Sequence, residues 1–220
     1  MDICSHIDHT LLKPFATKQD LARVCAEARE MGFASVCVNP CNVAFVAAQL
    51  RGSAVKTCSV VGFPFGTHTL AAKLTETAGA LADGAEEIDM VINVGRLLEG
   101  DEAAVRAEVQ ALADLCHASN AILKVIIETC YLNEAQIAAM CRIVSETGAD
   151  FIKTSTGYGT RGASADDVRL FKKYLTGPVK IKASGGIRSA ADAQMYLSLG
   201  CERLGTSSGV AIARELAAQA

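Results

Sequence analysis

Short β-branched runs alternate with longer, Ala-rich amphipathic stretches along the whole sequence. The short runs predict strands near residues 5–9, 35–39, 56–62, 86–93, 122–128, 150–155, 179–184 and 202–206. The stretches between them predict helices near 17–31, 41–50, 68–83, 101–118, 133–147, 164–175, 189–199 and 208–219. Thr17, Asn133 and Ser189 stand where N-caps belong, and Gly32, Gly84, Gly148 and Gly200 stand just beyond helix ends, where a left-handed cap is needed. Eight strand–helix units, with strands about 20–36 residues apart, predict a single α/β domain over residues 1–220. Its expected form is a closed (β/α)8 TIM barrel. The rival, an open doubly wound sheet, usually carries a Gly-rich turn after its first strand. Here HTLLKP follows that strand, and glycines gather instead after strands six, seven and eight.

Alternation along each strand assigns faces. In EEIDMVIN, Ile88, Met90 and Ile92 form the apolar outer face, leaving Asp89, Val91 and Asn93 inside. In DFIKTSTG, Phe151, Lys153 and Ser155 point inward; in VKIKASGG, Lys180, Lys182 and Ser184 do. Lys124 shares a face with Ile126 and Glu128, whereas the first strand is too short for its alternation to orient Asp8. Burying unpaired charge costs several kcal/mol per ion, so inward charges are paired, partly solvated or functional. Lys153, Lys182 and Asp89 fall toward the C-terminal strand ends, where barrels place their chemistry.

A lysine amine attacks a carbonyl only as the free base, and a neighbouring ammonium or desolvation favours that form. Two lysines on adjacent strands with a carboxylate across the barrel therefore spell a Schiff-base lyase, with Asp89 moving protons. This pattern does not say which lysine is the nucleophile. Lys180, lower on the same face as Lys182, reads as an ion-paired residue of the barrel floor.

The loops after the last three strands, TSTG (154–157), SGGIR (184–188) and GTSSG (205–209), place glycine amides and serine hydroxyls where barrels bind phosphate. Arg188 either adds charge there or is a surface residue at a helix start. His6, His9 and His68 make no ligand set, since H-x-x-H on a strand sends its rings to opposite faces, and no metal is expected. Cys37 reads as a buried, inert thiol that faces the barrel.

Composition narrows the partners. Of 220 residues, 50% are hydrophobic and 20% charged, which excludes a disordered chain. A formal charge of -3 without a basic cluster gives no purchase on nucleic acid or anionic membrane. Nine scattered cysteines without C-x-x-C spacing fit free thiols in a reducing compartment. No secretory leader or membrane span is written in the sequence, so a cytoplasmic protein is expected.

Taken in order, HIDHTLLKP, ASVCVNP, EIDMVINVG, LKVIIETCYL, DFIKTSTGY, VKIKASGGIR and RLGTSSG resemble the deoxyribose-phosphate aldolase family over nearly the whole chain. The resemblance implies a (β/α)8 barrel that reversibly cleaves 2-deoxy-D-ribose 5-phosphate to D-glyceraldehyde 3-phosphate and acetaldehyde, without metal or organic cofactor. It implies Lys153 as the Schiff-base lysine, Lys182 as the amine that perturbs it, and Asp89 as the proton donor and acceptor. It adds Asp8, Thr10, Lys124 and Thr154 to the substrate and proton-relay shell. It also puts phosphate near Gly157, Gly185, Gly186, Gly205, Ser207 and Ser208, and implies a homodimer or homotetramer. Tyr158, where many members have lysine or phenylalanine, and the extra Lys180 depart from the pattern. Two alternatives remain at this stage: a barrel aldolase, Schiff-base or metal-assisted, on another sugar phosphate, and a barrel that only binds sugar phosphates.

Overall fold

The computed structural model describes residues 3–219; Met1, Asp2 and Ala220, the ends of the expected unit, lie outside the described residues. Eight parallel strands close into a barrel in sequence order. They are β1 (Ile7–Leu11), β2 (Ser35–Val38), β3 (Lys56–Val61), β4 (Glu87–Val91), β5 (Ile122–Ile126), β6 (Phe151–Lys153), β7 (Lys180–Ser184) and β8 (Arg203–Thr206). The connecting helices are α1 (Lys18–Met31), α2 (Val43–Leu50), α3 (Leu70–Ala82), α4 (Val94–Leu98), α5 (Glu102–Ala118), α6 (Glu134–Glu146), α7 (Ala165–Tyr174), α8 (Ala190–Ser198) and α9 (Gly209–Gln219). Every expected strand and helix forms, to within about two residues at its ends.

The helix limits have local causes. Capping boxes start α1, α6, α7 and α8: Thr17, Asn133, Ser164 and Ser189 each accept from an amide three residues on, and the side chain there accepts from the cap's own N–H. Gly32, at φ 67°, ends α1 in the left-handed conformation that other residues resist.

The apolar core lies between sheet and helices. Ile88, Met90, Leu123, Val125, Ile152 and Ala183 are fully buried on the outer strand faces, among helix residues such as Val109, Leu112, Ile143 and Phe171. The interior differs from the layers of branched aliphatics usual in such barrels. Its centre holds Asp8, Glu87, Asp89, Lys124, Lys153 and Lys182, all buried.

Two expectations of side-chain direction, and one strand end, need correction. Asn93 lies beyond the end of β4 and does not enter the barrel; its Oδ1 accepts from Arg96 N and starts α4, a helix the sequence pattern did not reveal. Lys180 is not inside: it sits half-exposed at the N-terminal rim, 3.4 Å from Glu202. β6 ends at Lys153, so Ser155 continues beyond the strand, where its buried hydroxyl lacks a partner among the described residues.

Candidate active site

Strand register sets the charged groups against one another. Lys153 lies opposite Lys182 on β6 and β7, and Asp89 opposite Lys124 on β4 and β5. Asp89 is the hub: Oδ2 accepts from Lys153 Nζ at 2.6 Å and Lys182 Nζ at 2.7 Å, and Oδ1 accepts from Lys124 Nζ at 2.8 Å. Lys182 also donates to Asp8, and Lys124 donates to Glu87 at 2.6 Å. Arg203 closes the floor, donating to Asp8 and to both Glu87 oxygens.

Four cations therefore face three carboxylates. Burial opposes ionisation of Asp89, but Lys124, Lys153 and Lys182 outweigh it and hold the carboxyl well below its ordinary range. Burial opposes Asp8 in the same way and is overcome by Lys182, Lys124 and Arg203. Burial also works against the Lys182 ammonium, yet Asp8 and Asp89 raise its pKa above the usual lysine value. Lys124 is raised further by Asp89, Cys58, Glu87 and Asp8 against the same penalty. Lys182 and Lys124 are thus fixed ammonium groups. Lys153 holds a single carboxylate oxygen and, alone among these charged residues, lines the open cleft above.

That cleft, about 300 Å3 at the C-terminal end of the barrel, is walled by Thr10, Gly157, Tyr158, the Ser184–Arg188 loop and Gly205–Ser208. The backbone N–H groups of Gly157, Gly185, Gly186, Ile187 and Ser207 border it without an intramolecular partner among the described residues. Free amides converging on one cleft suit an anion. Their freedom is arranged by neighbours. Glu128, buried and left-handed at φ 52°, accepts from Thr156 N at 3.2 Å and from Thr156 Oγ1; that hydroxyl in turn accepts from Tyr158 N at 3.0 Å. The amides on either side of Gly157 are therefore tied, and the middle one is left for a ligand. Gly162 and Gly185 pack so closely that a Cβ on Gly162 would lie 2.2 Å from Gly185 O. Tyr158 crosses the mouth of the cleft and donates to Leu12 O at 3.2 Å.

Among the residues expected to touch substrate, Thr10, Gly157, Gly185, Gly186, Arg188, Gly205, Ser207 and Ser208 line the cleft. Asp8, Lys124 and Thr154 do not. Asp8 and Lys124 belong to the buried ionic layer beneath it, and Thr154 clips β6 to β7 through Ser184 N and O. Glu87 and Arg203 are the charged members the sequence reading missed. Glu87 sits two residues before Asp89, on a face already read as inward, so alternation carried its signal; no face was assigned along the eighth strand, which holds Arg203. Cys37 is buried facing the barrel as expected, but beside Cys58, a pairing that only the strand register reveals.

The family model for the DeoC/LacD family aldolases matches residues 3–217. A protein of Treponema denticola named deoxyribose-phosphate aldolase is 58% identical over 212 residues, covering 96% of this chain and 98% of that protein. One of Clostridium botulinum with the same name is 48% identical, covering 96% of this chain and 94% of its own. Among solved structures, the tetrameric deoxyribose phosphate aldolase of Aeropyrum pernix superposes with a TM-score of 0.92 at 33% identity, covering 99% of this chain and 92% of that one.

Proposed function

The chain belongs to the DeoC/LacD family of aldolases, and from that premise we propose that it is a deoxyribose-phosphate aldolase working through an imine on Lys153. Its curated relatives are named deoxyribose-phosphate aldolase, and the reaction proposed for this chain is cleavage of 2-deoxy-D-ribose 5-phosphate to D-glyceraldehyde 3-phosphate and acetaldehyde. The observation that carries the residue assignment is the position of Lys153: its amine reaches the cleft and is flanked by a fixed ammonium, Lys182, and by the Asp89 carboxylate.

Four cations against three carboxylates leave one surplus positive charge, and removing one proton neutralises the cluster. Lys153 gives up that proton and attacks C1 of the open-chain sugar. Asp89, 2.6 Å from its amine, takes and returns protons as the carbinolamine loses water. The resulting iminium accepts the electron pair of the C2–C3 bond as the C3 hydroxyl loses its proton, releasing glyceraldehyde 3-phosphate. Protonation of the enamine at C2 and hydrolysis then release acetaldehyde. Lys182, Lys124 and Asp8 hold the field of the site constant beneath these steps, a positioning role. The substrate phosphate fits the free amides of Gly157, Gly185, Gly186 and Ser207, with Thr10, Gly205 and Ser208 in the same wall and Arg188 adding charge.

Among the described residues, no helix is long and apolar enough to cross a membrane. Nine free cysteines suit a reducing, cytoplasmic setting, and the tetrameric relative supports a homo-oligomer. The test of the reaction is release of glyceraldehyde 3-phosphate from deoxyribose 5-phosphate with excess EDTA present. Undiminished turnover is expected; turnover abolished by EDTA and restored by a divalent metal would replace the imine with a metal mechanism.

A further inference from the structure

Cys37 on β2 and Cys58 on β3 are paired in register across neighbouring strands, and both thiols face the barrel interior. Their sulfur atoms and a carboxylate oxygen of Asp89 lie within 4.8 Å of one another, and all three residues are buried. Cys58 Sγ is 3.3 Å from Asp89 Oδ1. We propose that Cys37, Cys58 and Asp89 form a site for a soft divalent cation of the zinc or cadmium class, and that filling it inhibits the enzyme by engaging Asp89 Oδ1 and so withdrawing the carboxylate charge that Lys153 uses at Oδ2.

The donor set is the first argument. Two thiolates and a carboxylate are what borderline-soft cations select, and they leave one corner of a tetrahedron open. Metal–ligand bonds of about 2.0–2.3 Å place sulfur and oxygen ligands roughly 3.5 Å apart, close to the 3.3 Å already present between Cys58 Sγ and Asp89 Oδ1. Charge is the second. The three lysines repel a cation, but two thiol protons leave as the ion enters, so the charge of the barrel interior does not change. Two metal–thiolate bonds and one metal–carboxylate bond form; Lys124 gives up Asp89 Oδ1 and keeps Glu87. Access is the third. The cover over the pair is Leu12 and Phe63, both only partly buried, and Leu12 also lines the cleft.

The test is a cadmium titration of the full chain, read by the ultraviolet thiolate-to-cadmium charge-transfer band and, in parallel, by aldolase turnover. Four proteins are compared: unmodified, Cys37→Ser, Cys58→Ser, and the exposed-thiol control Cys41→Ser. Serine keeps a small hydroxyl donor in the barrel while removing the soft ligand. One tight equivalent is expected in the unmodified and Cys41→Ser proteins, at least ten-fold weakened in Cys37→Ser and in Cys58→Ser. Turnover should fall with the tight phase and return with EDTA. A tight phase that survives Cys58→Ser, vanishes in Cys41→Ser, or fills without loss of turnover overturns the proposal. The band reads the site whether or not the proposed function holds; only the turnover arm rests on that function.

Discussion

Lys153 and Lys182 are the same amino acid, in register on neighbouring strands, and differ in what they touch. Lys182 is fully buried between Asp8 and Asp89; Lys153 shares one oxygen of Asp89 and meets the cleft. Alternation in the sequence found both, because a two-residue period reads which way a strand side chain points. It could not tell them apart, because that difference comes from Asp8, contributed by a strand 174 residues away. The same limit hid the Cys37–Cys58 pair and the work of Glu128, whose left-handed backbone lies just beyond β5. Glu128 yields a residue-scale prediction. Losing hydrogen bonds to a charged acceptor costs about 1.5–3 kcal/mol each, so Glu128→Ala should raise KM for deoxyribose 5-phosphate at least ten-fold by freeing the loop that presents Gly157. Turnover of unphosphorylated 2-deoxyribose should change far less. Steady-state kinetics on both sugars checks this, and equal losses on the two would assign Glu128 to general stability instead.

At the scale of elements, the strands and main helices were readable because their signals are local: apolar period, capping residue, terminal glycine. The short helix α4 escaped because five residues show too little period to register, and it rests on one Asn93 cap. The composition of the loops after β6 and β7 raised the expectation of an anion site, but did not reveal how the two loops pack against each other. That packing depends on glycine at position 162, where a Cβ would meet the carbonyl of Gly185. Gly162→Ala must push the two loops apart. Overpacking of this kind costs about 1–3 kcal/mol, so the urea midpoint should fall. KM for the phosphorylated sugar should rise while borohydride labelling of Lys153 by acetaldehyde persists. A variant with unchanged KM would show that the cradle tolerates separation of its loops.

The molecule as a whole is a barrel whose outer faces are aliphatic and whose centre is ionic, and stability should follow the ionisation of that centre. Asp8 and Asp89 have folded values below the ordinary 3.8, so their contribution is complete above that value and is lost as pH falls through it. Lys182 and Lys124 have folded values above the ordinary 10.5, so theirs is complete below it and is lost as pH rises beyond it. Urea midpoints should therefore be flat between about pH 5 and 9 as far as these groups are concerned, and fall on both sides. Replacing Asp8 by Asn should flatten the acid limb; an unaltered acid limb would mean that the cluster does not govern it. The closed barrel itself was legible from the eight-fold recurrence of strand and helix, whereas the ionic centre depends on which strands meet. The central claim is that this centre delivers one reactive amine to the cleft. Borohydride reduction in the presence of deoxyribose 5-phosphate and EDTA, followed by peptide mass spectrometry, tests it most directly. The account predicts a reduced adduct on Lys153 alone; an adduct on Lys182, or none while the sugar is still being cleaved, would contradict it.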